Sequence, residues 1–336
     1  MRVLAALLAL TLAAPAQAGW RRIDLPRDDV TLRAVAISPS GAFHVSGGKG
    51  AHAVSQDGGR TWRFSAPQGE AAYDFRGVAV AGDGAVLLMT AGEAAKGDAN
   101  IFRSADGVSW TKTFQTTEPG AFLDTLALRD GRRGFVLGDP VDGRWFVLRT
   151  DDGGRTWTRL PGPAVRLGEA AFAASNSALF LGPGREVWIV GGGLARARVF
   201  HSRDDGATWS ASETAIEGDE SAGLFGGMAL GGGRAVVVGG DYRAELREGP
   251  AIARTQDGGR TWTPAPDAGT PRLLEGVARR DARTLIAVGP RGASVSRDDG
   301  ATWRQVDDEA FHAIACAGAT CVAAGSRGRV AVWIDD

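Results

Sequence analysis

The sequence is poor in several residue types, and each shortage argues against a class of function. Its 336 residues include only two Cys, two Tyr and four His. The four histidines follow no metal-ligand spacing, which argues against a zinc site. Lys and Arg number 38 against 39 Asp and Glu, so the basic surplus that neutralises nucleic-acid phosphates is missing. We therefore expect neither a metal nor a nucleic acid as a partner.

Helical apolar periodicity is almost missing beyond residue 20, whereas glycine and tryptophan are abundant, with 49 and 10 residues. This composition is typical of many short strands joined by tight turns, because aromatic residues favour strands and Gly permits turns. No second long apolar run follows the N-terminal one, so no transmembrane segment is predicted. The sequence therefore predicts an all-β fold.

Residues 1–18 have the pattern of an export signal peptide. Arg2 supplies the positive start, and a small-residue cleavage site follows the apolar run at Ala16-Gln17-Ala18. The run is too short for a stable transmembrane helix, and no cysteine at the cleavage site can take a lipid. We expect residues 19–336 to form one domain, a periplasmic or secreted monomer.

One short motif, first seen as SQDGGRTW at residues 55–62, recurs along the chain. Its six copies end at Trp62, Trp110, Trp157, Trp209, Trp262 and Trp303, which are separated by 48, 47, 52, 53 and 41 residues. Such a period is typical of a propeller with one four-stranded blade per repeat. Asp and Gly suit the turn between the third and fourth strands, and the Trp would pack between blades. Calcium at these turns is disfavoured, because no bidentate Glu closes the loop.

The two chain ends predict a seventh blade. Residues 311–336 supply three strands but stop where another copy of the motif would begin. Residues 19–25 have the shape of a fourth strand, and Trp20 lies 42 residues before Trp62. Pairing these segments removes the open sheet edges of an unclosed array. We predict a seven-bladed β-propeller of four-stranded blades, closed by the N-terminal strand.

The repeated motif resembles the Asp-box, or BNR repeat, of sialidases and related propellers. A Val-Gly-x-x-Gly turn precedes it at Val288 to Gly292, and similar turns occur at residues 47–50 and 325–328. This combination is similar to the photosystem II assembly factor family called Ycf48 or HCF136. The resemblance covers essentially all of residues 19–336. It implies a non-catalytic propeller, without a cofactor, that binds protein partners in the cell envelope during assembly.

Because the motif is regular, function is expected in residues that differ between repeats. The starts of the first strands form a mostly polar column, and the loops between second and third strands share their face. If the first strand is innermost, these residues surround one mouth of the channel. The candidates are Arg33, Arg76, Asp124, Glu169, Phe225, Glu275 and His312, with Asp139, Asp241, Tyr242, Arg291 and Arg327 from the loops. This ring is either a ligand or partner site or only a solvated rim.

A hydrolase is the alternative from another functional class. Sialidase chemistry resembles an arginine triad with a Tyr nucleophile, but the chain has only Tyr73 and Tyr242 and no Phe/Tyr-Arg-Ile-Pro motif. A glycoside hydrolase that acts on envelope or extracellular glycans stays open. It would use two of Asp124, Glu169 and Glu275 as acid and base across the channel.

Cys316 and Cys321 are separated by a four-residue turn between two predicted strands of blade 7. A hairpin of this length places the two side chains opposite each other. In an exported chain two cysteines without metal partners are more often joined than free. We therefore expect a disulfide between them.

Overall fold

The first strand of every blade lines a central channel, and the other strands follow outward from it. These strands belong to a computed structural model that describes residues 19–67, 69, 73–269 and 272–335. The described chain forms seven sheets, and the first strands contact one another all round the ring. The predicted seven-bladed β-propeller is therefore confirmed. The expected signal peptide at residues 1–18 lies outside the described residues.

The strands are numbered in chain order. The N-terminal strand and blades 1 and 2 comprise β1 (Gly19–Arg22), β2 (Leu32–Ile37), β3 (Phe43–Gly47), β4 (Ala51–Ser55), β5 (Arg63–Phe64), β6 (Gly77–Val80), β7 (Val86–Met89), β8 (Ala99–Ser104) and β9 (Thr111–Thr116). Blade 3 comprises β10 (Leu123–Leu128), β11 (Gly134–Val141), β12 (Arg144–Thr150) and β13 (Thr158–Ala164). A short 3₁₀ turn at Ala94–Lys96 is the one helix among the described residues.

The remaining blades follow the same order. Blades 4 and 5 comprise β14 (Leu179–Leu181), β15 (Val187–Val190), β16 (Arg196–Ser202), β17 (Ser210–Glu217), β18 (Ala222–Gly231), β19 (Arg234–Asp241), β20 (Ile252–Thr255) and β21 (Thr263–Pro264). Blades 6 and 7 comprise β22 (Asp267–Ala268), β23 (Gly276–Arg279), β24 (Leu285–Gly289), β25 (Gly292–Ser296), β26 (Trp303–Asp307), β27 (Ala313–Ala317), β28 (Thr320–Ala324) and β29 (Val330–Ile334). Blade 6 departs from the four-strand pattern, because β22 adds a parallel pair at its outer edge.

Burial along the strands follows from the stacking of blades. The middle strands lie between two neighbouring sheets, so they are continuous apolar runs, and every residue of β24 (LIAVG) is buried. The outer strand faces water, and β9 (TKTFQT) contains no fully buried residue. Among the described residues, no helix has the length and apolar character needed to cross a membrane.

The N-terminal strand β1 completes blade 7, as the sequence predicts. It runs antiparallel to β29, with Trp20 opposite Trp333. The Trp20 ring lies 5.0 Å from the rings of both Trp333 and Phe311. Because β29 would otherwise present an unpaired edge, this pairing closes the ring.

Each Asp-box is a self-contained turn at the end of the channel opposite the candidate ring. In the first copy, the Ser55 hydroxyl donates to Asp57 Oδ1 at 2.8 Å and accepts from the Gly59 N–H at 2.8 Å. Asp57 also accepts from the Thr61 N–H at 2.9 Å and the Thr61 hydroxyl at 2.6 Å. The same bonds recur around Asp152, Asp204, Asp257 and Asp298. The motif therefore satisfies its own polar groups.

The tryptophan that ends each box packs in the seam with the preceding blade. Trp62 Nε1 donates to the carbonyl of Ile23 at 3.0 Å, and Trp262 Nε1 donates to Ser212 Oγ at 3.0 Å. Of the six box tryptophans, only Trp262 and Trp303 are buried, with 9% and 3% of their surface exposed, whereas the other four are partly exposed. The seams therefore differ in how much apolar surface they bury.

Candidate functional site

A cavity of about 490 Å³ opens at the end of the channel opposite the Asp-boxes. We call this end the mouth and the space the mouth cavity. From the predicted column, the lining includes Arg33, Arg76, Asp124, Phe225, Glu275 and His312. Asp139 and Tyr242 join them from the loops between second and third strands. The structure thus gathers eight of the twelve candidate residues around one space.

Glu169 was predicted at the start of the first strand of blade 4, and this placement is wrong. That strand, β14, begins at Leu179. The Glu169 side chain is buried away from the mouth cavity, accepting a hydrogen bond from Arg198 at 2.8 Å and from the Arg166 N–H at 2.6 Å. The alignment failed because blade 4 carries an insertion between Glu169 and its first strand.

Three loop candidates also lie outside the cavity lining. Asp241 is buried and accepts hydrogen bonds from Ser221 Oγ at 2.8 Å and Arg247 Nη1 at 3.2 Å, which hold its own loop together. Arg291 pairs with Glu245 at 2.6 Å on the rim. Arg327 is exposed in a left-handed turn with φ 59°. These residues shape loops near the mouth.

The insertion in blade 4, residues 171–177, forms a plug loop inside the channel. Asn176 Oδ1 accepts from the Leu126 N–H of blade 3 at 2.8 Å. Ser175 Oγ donates to the Glu275 carbonyl of blade 6 at 2.6 Å, and Arg76 of blade 2 donates to the Ala173 carbonyl at 3.1 Å. A segment that bonds to blades on both sides of blade 4 must lie in the centre of the ring. The plug loop therefore gives the cavity its floor.

Sequence reasoning missed the plug loop, although two signals mark it. The spacing from Trp157 to Trp209 is 52 residues, several more than the 47 of the preceding repeat. The polar run Ser175-Asn176-Ser177 interrupts an otherwise apolar stretch where a first strand was expected. Asn176 adopts φ 58°, a left-handed conformation that Asn tolerates better than most residues.

Both arginines of the cavity are engaged by neighbouring groups. Arg33 Nη1 lies 3.2 Å from His312 Nδ1 and 3.8 Å from Glu275 Oε1. Arg76 pairs with Asp74 at 2.7 Å and also holds the plug loop. Because burial costs free energy for a guanidinium, the pKa of Arg33 is lowered from its usual value. Their positive charges are thus largely compensated within the protein.

Within the described part of the chain, two carboxyl groups of the cavity, Asp124 and Asp139, have no cationic partner at hydrogen-bonding distance. Asp139 accepts one bond, from the Ala171 N–H of the plug loop at 3.0 Å, and burial raises its pKa to about 6. Asp124 is 1% exposed, and its Oδ2 has no hydrogen-bond partner. Burial, and then repulsion by Asp139, raise the pKa of Asp124 well above its usual value. The unbalanced charge of the cavity is therefore negative.

Aromatic rings form one wall of the mouth cavity. Phe172 of the plug loop stacks on Phe225, with ring centroids 4.2 Å apart and an interplanar angle of 11°. Tyr242 meets Phe172 edge-on at 5.9 Å. Phe122 and Leu273 extend the same lining. The cavity thus combines an apolar wall with two unpartnered acids.

The mouth side of the propeller carries exposed apolar side chains. Tyr242 and Leu246, in the loop between β19 and β20, are 46% and 53% exposed. Leu167, in the connection between β13 and β14, is fully exposed. Connections of these two kinds all lie on the mouth side of a propeller blade. We call these three residues the apolar rim.

The cysteines form a disulfide, and the acidic and histidine side chains do not cluster as metal ligands within the described residues. Among residues 19–67, 69, 73–269 and 272–335, no group of three or more His, Cys, Asp and Glu side chains is placed to hold a metal ion. Cys316 and Cys321 are joined by a disulfide between β27 and β28. It lies at the Asp-box end of blade 7, away from the mouth.

Comparison with known proteins agrees with this architecture. Residues 103–319 match the family described as photosynthesis system II assembly factor YCF48. No curated protein matches the chain in sequence. The structure of YCF48 from Cyanidioschyzon merolae is similar, with a TM-score of 0.69 and 16% identity, covering 94% of this chain and 98% of that one.

Two further solved structures are similar over nearly their whole length. One, described as YCF48 bound to D1 peptide, has a TM-score of 0.66 and 16% identity, covering 94% of this chain and 96% of that one. The other, virginiamycin B lyase from Staphylococcus aureus, has a TM-score of 0.70 and 14% identity, covering 95% of this chain and 100% of that one. At these identities the likeness shows the fold alone. Because the family match spans more than half of the residues, the chain belongs to the photosynthesis system II assembly factor YCF48 family.

Proposed function

We propose that this protein is a non-catalytic assembly or stability factor that binds a polypeptide partner at its mouth. The observation that carries the proposal is the apolar rim, Leu167, Tyr242 and Leu246, on the same side of the propeller as an aromatic-walled cavity. Exposed apolar groups of this kind cost solubility unless a partner covers them, and aromatic anchors in a pocket dominate protein interfaces.

Family membership supports a polypeptide as the partner. A YCF48 structure is described as bound to D1 peptide, so a propeller of this family holds a peptide segment. The mouth cavity, at about 490 Å³, has room for one or two side chains of such a segment. The rim would then contact the flanking residues of the partner.

The compartment belongs to the same proposal. We propose that residues 1–18 direct export and that the mature protein works in the periplasm or outside the cell. The Cys316–Cys321 disulfide supports this, because disulfides persist in oxidising compartments. Fractionation of the source cells, with N-terminal sequencing of the recovered protein, tests it. Recovery of an unprocessed chain from the cytoplasm would contradict export.

Affinity capture with two matched double variants tests the partner site. The mouth variant combines Tyr242→Ala with Leu246→Asp. The control combines Phe64→Ala with Val108→Asp, since Phe64 and Val108 are 42% and 68% exposed in or beside Asp-box turns. Each protein is used to capture partners from the envelope fraction of its source cells, and its melting temperature is measured. Both variants should melt like the unaltered protein, because exposed side chains contribute little packing.

The expected result is that the unaltered protein and the control variant retain the same polypeptide, whereas the mouth variant loses it. Mass spectrometry identifies the polypeptide, and binding is then repeated with the purified partner. Equal retention by all three proteins, or loss in the control alone, places the interface elsewhere and overturns the proposal.

A glycoside hydrolase is the second candidate, and one observation favours it. Asp139, with a pKa of about 6, is mostly ionised at pH 7, while the pKa of its neighbour Asp124 is raised well above its usual value. An acid whose pKa is raised by burial, next to a second carboxyl group, is the kind of pair that glycoside hydrolysis uses. Turnover of aryl glycosides by the unaltered protein, and its loss in Asp139→Asn, would support this candidate. Lack of turnover across a panel of glycosides removes it.

A further inference from the structure

The charges that line the mouth cavity do not balance. Two arginines, Arg33 and Arg76, stand against four carboxylates, Asp124, Asp139, Glu245 and Glu275. Glu245 is paired with Arg291, and Glu275 lies within 4 Å of Arg33 and His312. Asp124 and Asp139 are left over, in the buried part of the cavity.

Burying a carboxyl group without a partner costs free energy, so a structure that keeps two of them needs a reason. Asp124 Oδ2 has no hydrogen-bond partner although only 1% of the residue surface is exposed. Asp139 is fixed by the Ala171 N–H, which aligns it with the plug loop. Both residues line the cavity. Asp139 is partly exposed, so a ligand that enters from the mouth can contact it directly, whereas the buried Asp124 lies behind the cavity surface and adds its negative charge.

The apolar wall limits which ligand fits these acceptors. Phe172, Phe225 and Tyr242 line the same cavity as the two acids. A lysine or arginine side chain has an apolar stem that packs on such rings and a cationic end that donates several hydrogen bonds. Aromatic faces also attract the cation itself. An anionic or purely apolar side chain would leave the acids unpaired.

We propose that the mouth cavity binds one lysine or arginine side chain of the partner polypeptide, with its cationic end at Asp139 beside the buried Asp124 and its stem against the aromatic wall. The inference rests on the proposed function, because it names the part of the partner that enters the cavity. It assigns the ligand role to the two acids, whereas the arginines of the cavity position the plug loop and Glu275.

Binding of a cation should depend on pH. A cation favours the ionised form of the acids, so binding should tighten as the pH rises through the pKa of Asp139, about 6. The other charged or titratable groups that line the cavity are Arg33, Arg76, Tyr242, Glu245, Glu275 and His312.

Four blocked pentapeptides, Gly-Gly-X-Gly-Gly with X as Lys, Arg, Leu or Glu, test the inference by NMR titration of the purified protein. At pH 8 and low salt, the Lys and Arg peptides should bind about tenfold more tightly than the other two. The preference should shrink at pH 5. It should vanish in the Asp124→Asn/Asp139→Asn variant and persist in Asp308→Asn, an exposed acid outside the cavity.

Equal affinities for the four peptides, failure of all four to bind, or a preference that survives in the double Asn variant overturns the inference. The single Asp139→Asn variant decides the matter if the double variant does not fold, because Asn keeps the acceptor for the Ala171 N–H. The two proposals fail separately. A partner captured through the apolar rim without any cation preference removes only this inference, whereas a cation preference without a captured partner removes only the assembly role.

Discussion

Aspartates at the two ends of the propeller behave in opposite ways. At the Asp-box end, Asp152 accepts from Thr150 and Thr156 hydroxyls and from two backbone N–H groups, and these bonds lower its pKa to about 2 although burial opposes them. At the mouth, Asp139 has one backbone donor and burial raises its pKa to about 6. Aspartate side chains are thus fully hydrogen-bonded at the Asp-box end and incompletely hydrogen-bonded at the mouth.

The difference separates scaffold from site without reference to any partner. An Asp-box aspartate forms all of its hydrogen bonds within an eight-residue motif. Because the motif needs no distant partner, it can recur from blade to blade. A buried acid that leaves acceptor positions open destabilises the fold unless a ligand uses it. The comparison therefore predicts opposite stability effects for mutations at the two ends.

Deletion of residues 19–25 should have the largest effect, because it removes the strand that closes the scaffold. The deletion removes β1, the strand that pairs with β29. It also removes Trp20, whose ring contacts Trp333 and Phe311. The loss should exceed about 5 kcal/mol, a large part of the stability of an ordinary domain. Thermal melting and light scattering measure it, with Arg21→Ala in the same strand as control. Melting like that of the full protein would show that β1 does not close the ring.

Asp139→Asn should stabilise the protein above pH 6. The folded pKa, about 6, lies above the ordinary 3.8, so the folded state holds its proton more tightly and stability falls as pH rises from about 4 to 6. The variant escapes this loss and should be more stable by about 2–3 kcal/mol at pH 8, with no gain at pH 3. Urea unfolding across this pH range measures the effect. A variant that is less stable than the unaltered protein at pH 8 would contradict it.

Asp152→Ala should destabilise the protein at neutral pH, whereas Asp139→Asn at the mouth should stabilise it. Its pKa is lowered to about 2, so its contribution is present above pH 3.8 and is lost as pH falls through about 2. Because the carboxylate is partly exposed, solvent screening limits the loss at pH 7 to about 1–2 kcal/mol. The measurement is the same urea titration. Unchanged stability would mean that a single Asp-box is dispensable.

Reduction of the Cys316–Cys321 disulfide should have the smallest effect. The bond links residues five positions apart that already face each other across the β27–β28 hairpin, so it restricts the unfolded chain only slightly. Stability should fall by less than about 2 kcal/mol, as shown by melting with and without reductant. Partner capture should not change, since the bond lies at the Asp-box end. A loss of partner capture on reduction would show that the disulfide at the Asp-box end influences binding at the mouth.

The order of the blades and the closing strand could be predicted from sequence alone. The Asp-box bonds are local, running from Ser55 to Thr61 in the first copy, so the same letters produce the same turn wherever they occur. Their spacing counts the blades, and the apolar runs between them give the strands. The candidate column was largely found for the same reason, because regular repeats bring equivalent positions to one end of the channel.

Only the tertiary structure shows which of those residues line the mouth cavity and which of them are paired. Glu169 does not belong to the candidate column, because the plug loop is inserted between it and the first strand of blade 4. No local sequence pattern shows where such an insertion lies in the fold. The Arg76 side chain donates a hydrogen bond to the carbonyl of Ala173, 97 residues further along the chain. Arg33 of blade 1 lies 3.8 Å from Glu275 of blade 6. Which acids are paired and which are left open depends on such distant contacts. Sequence determines interactions that close within a turn, whereas the charge of a cavity is the sum of groups that only the closed ring brings together.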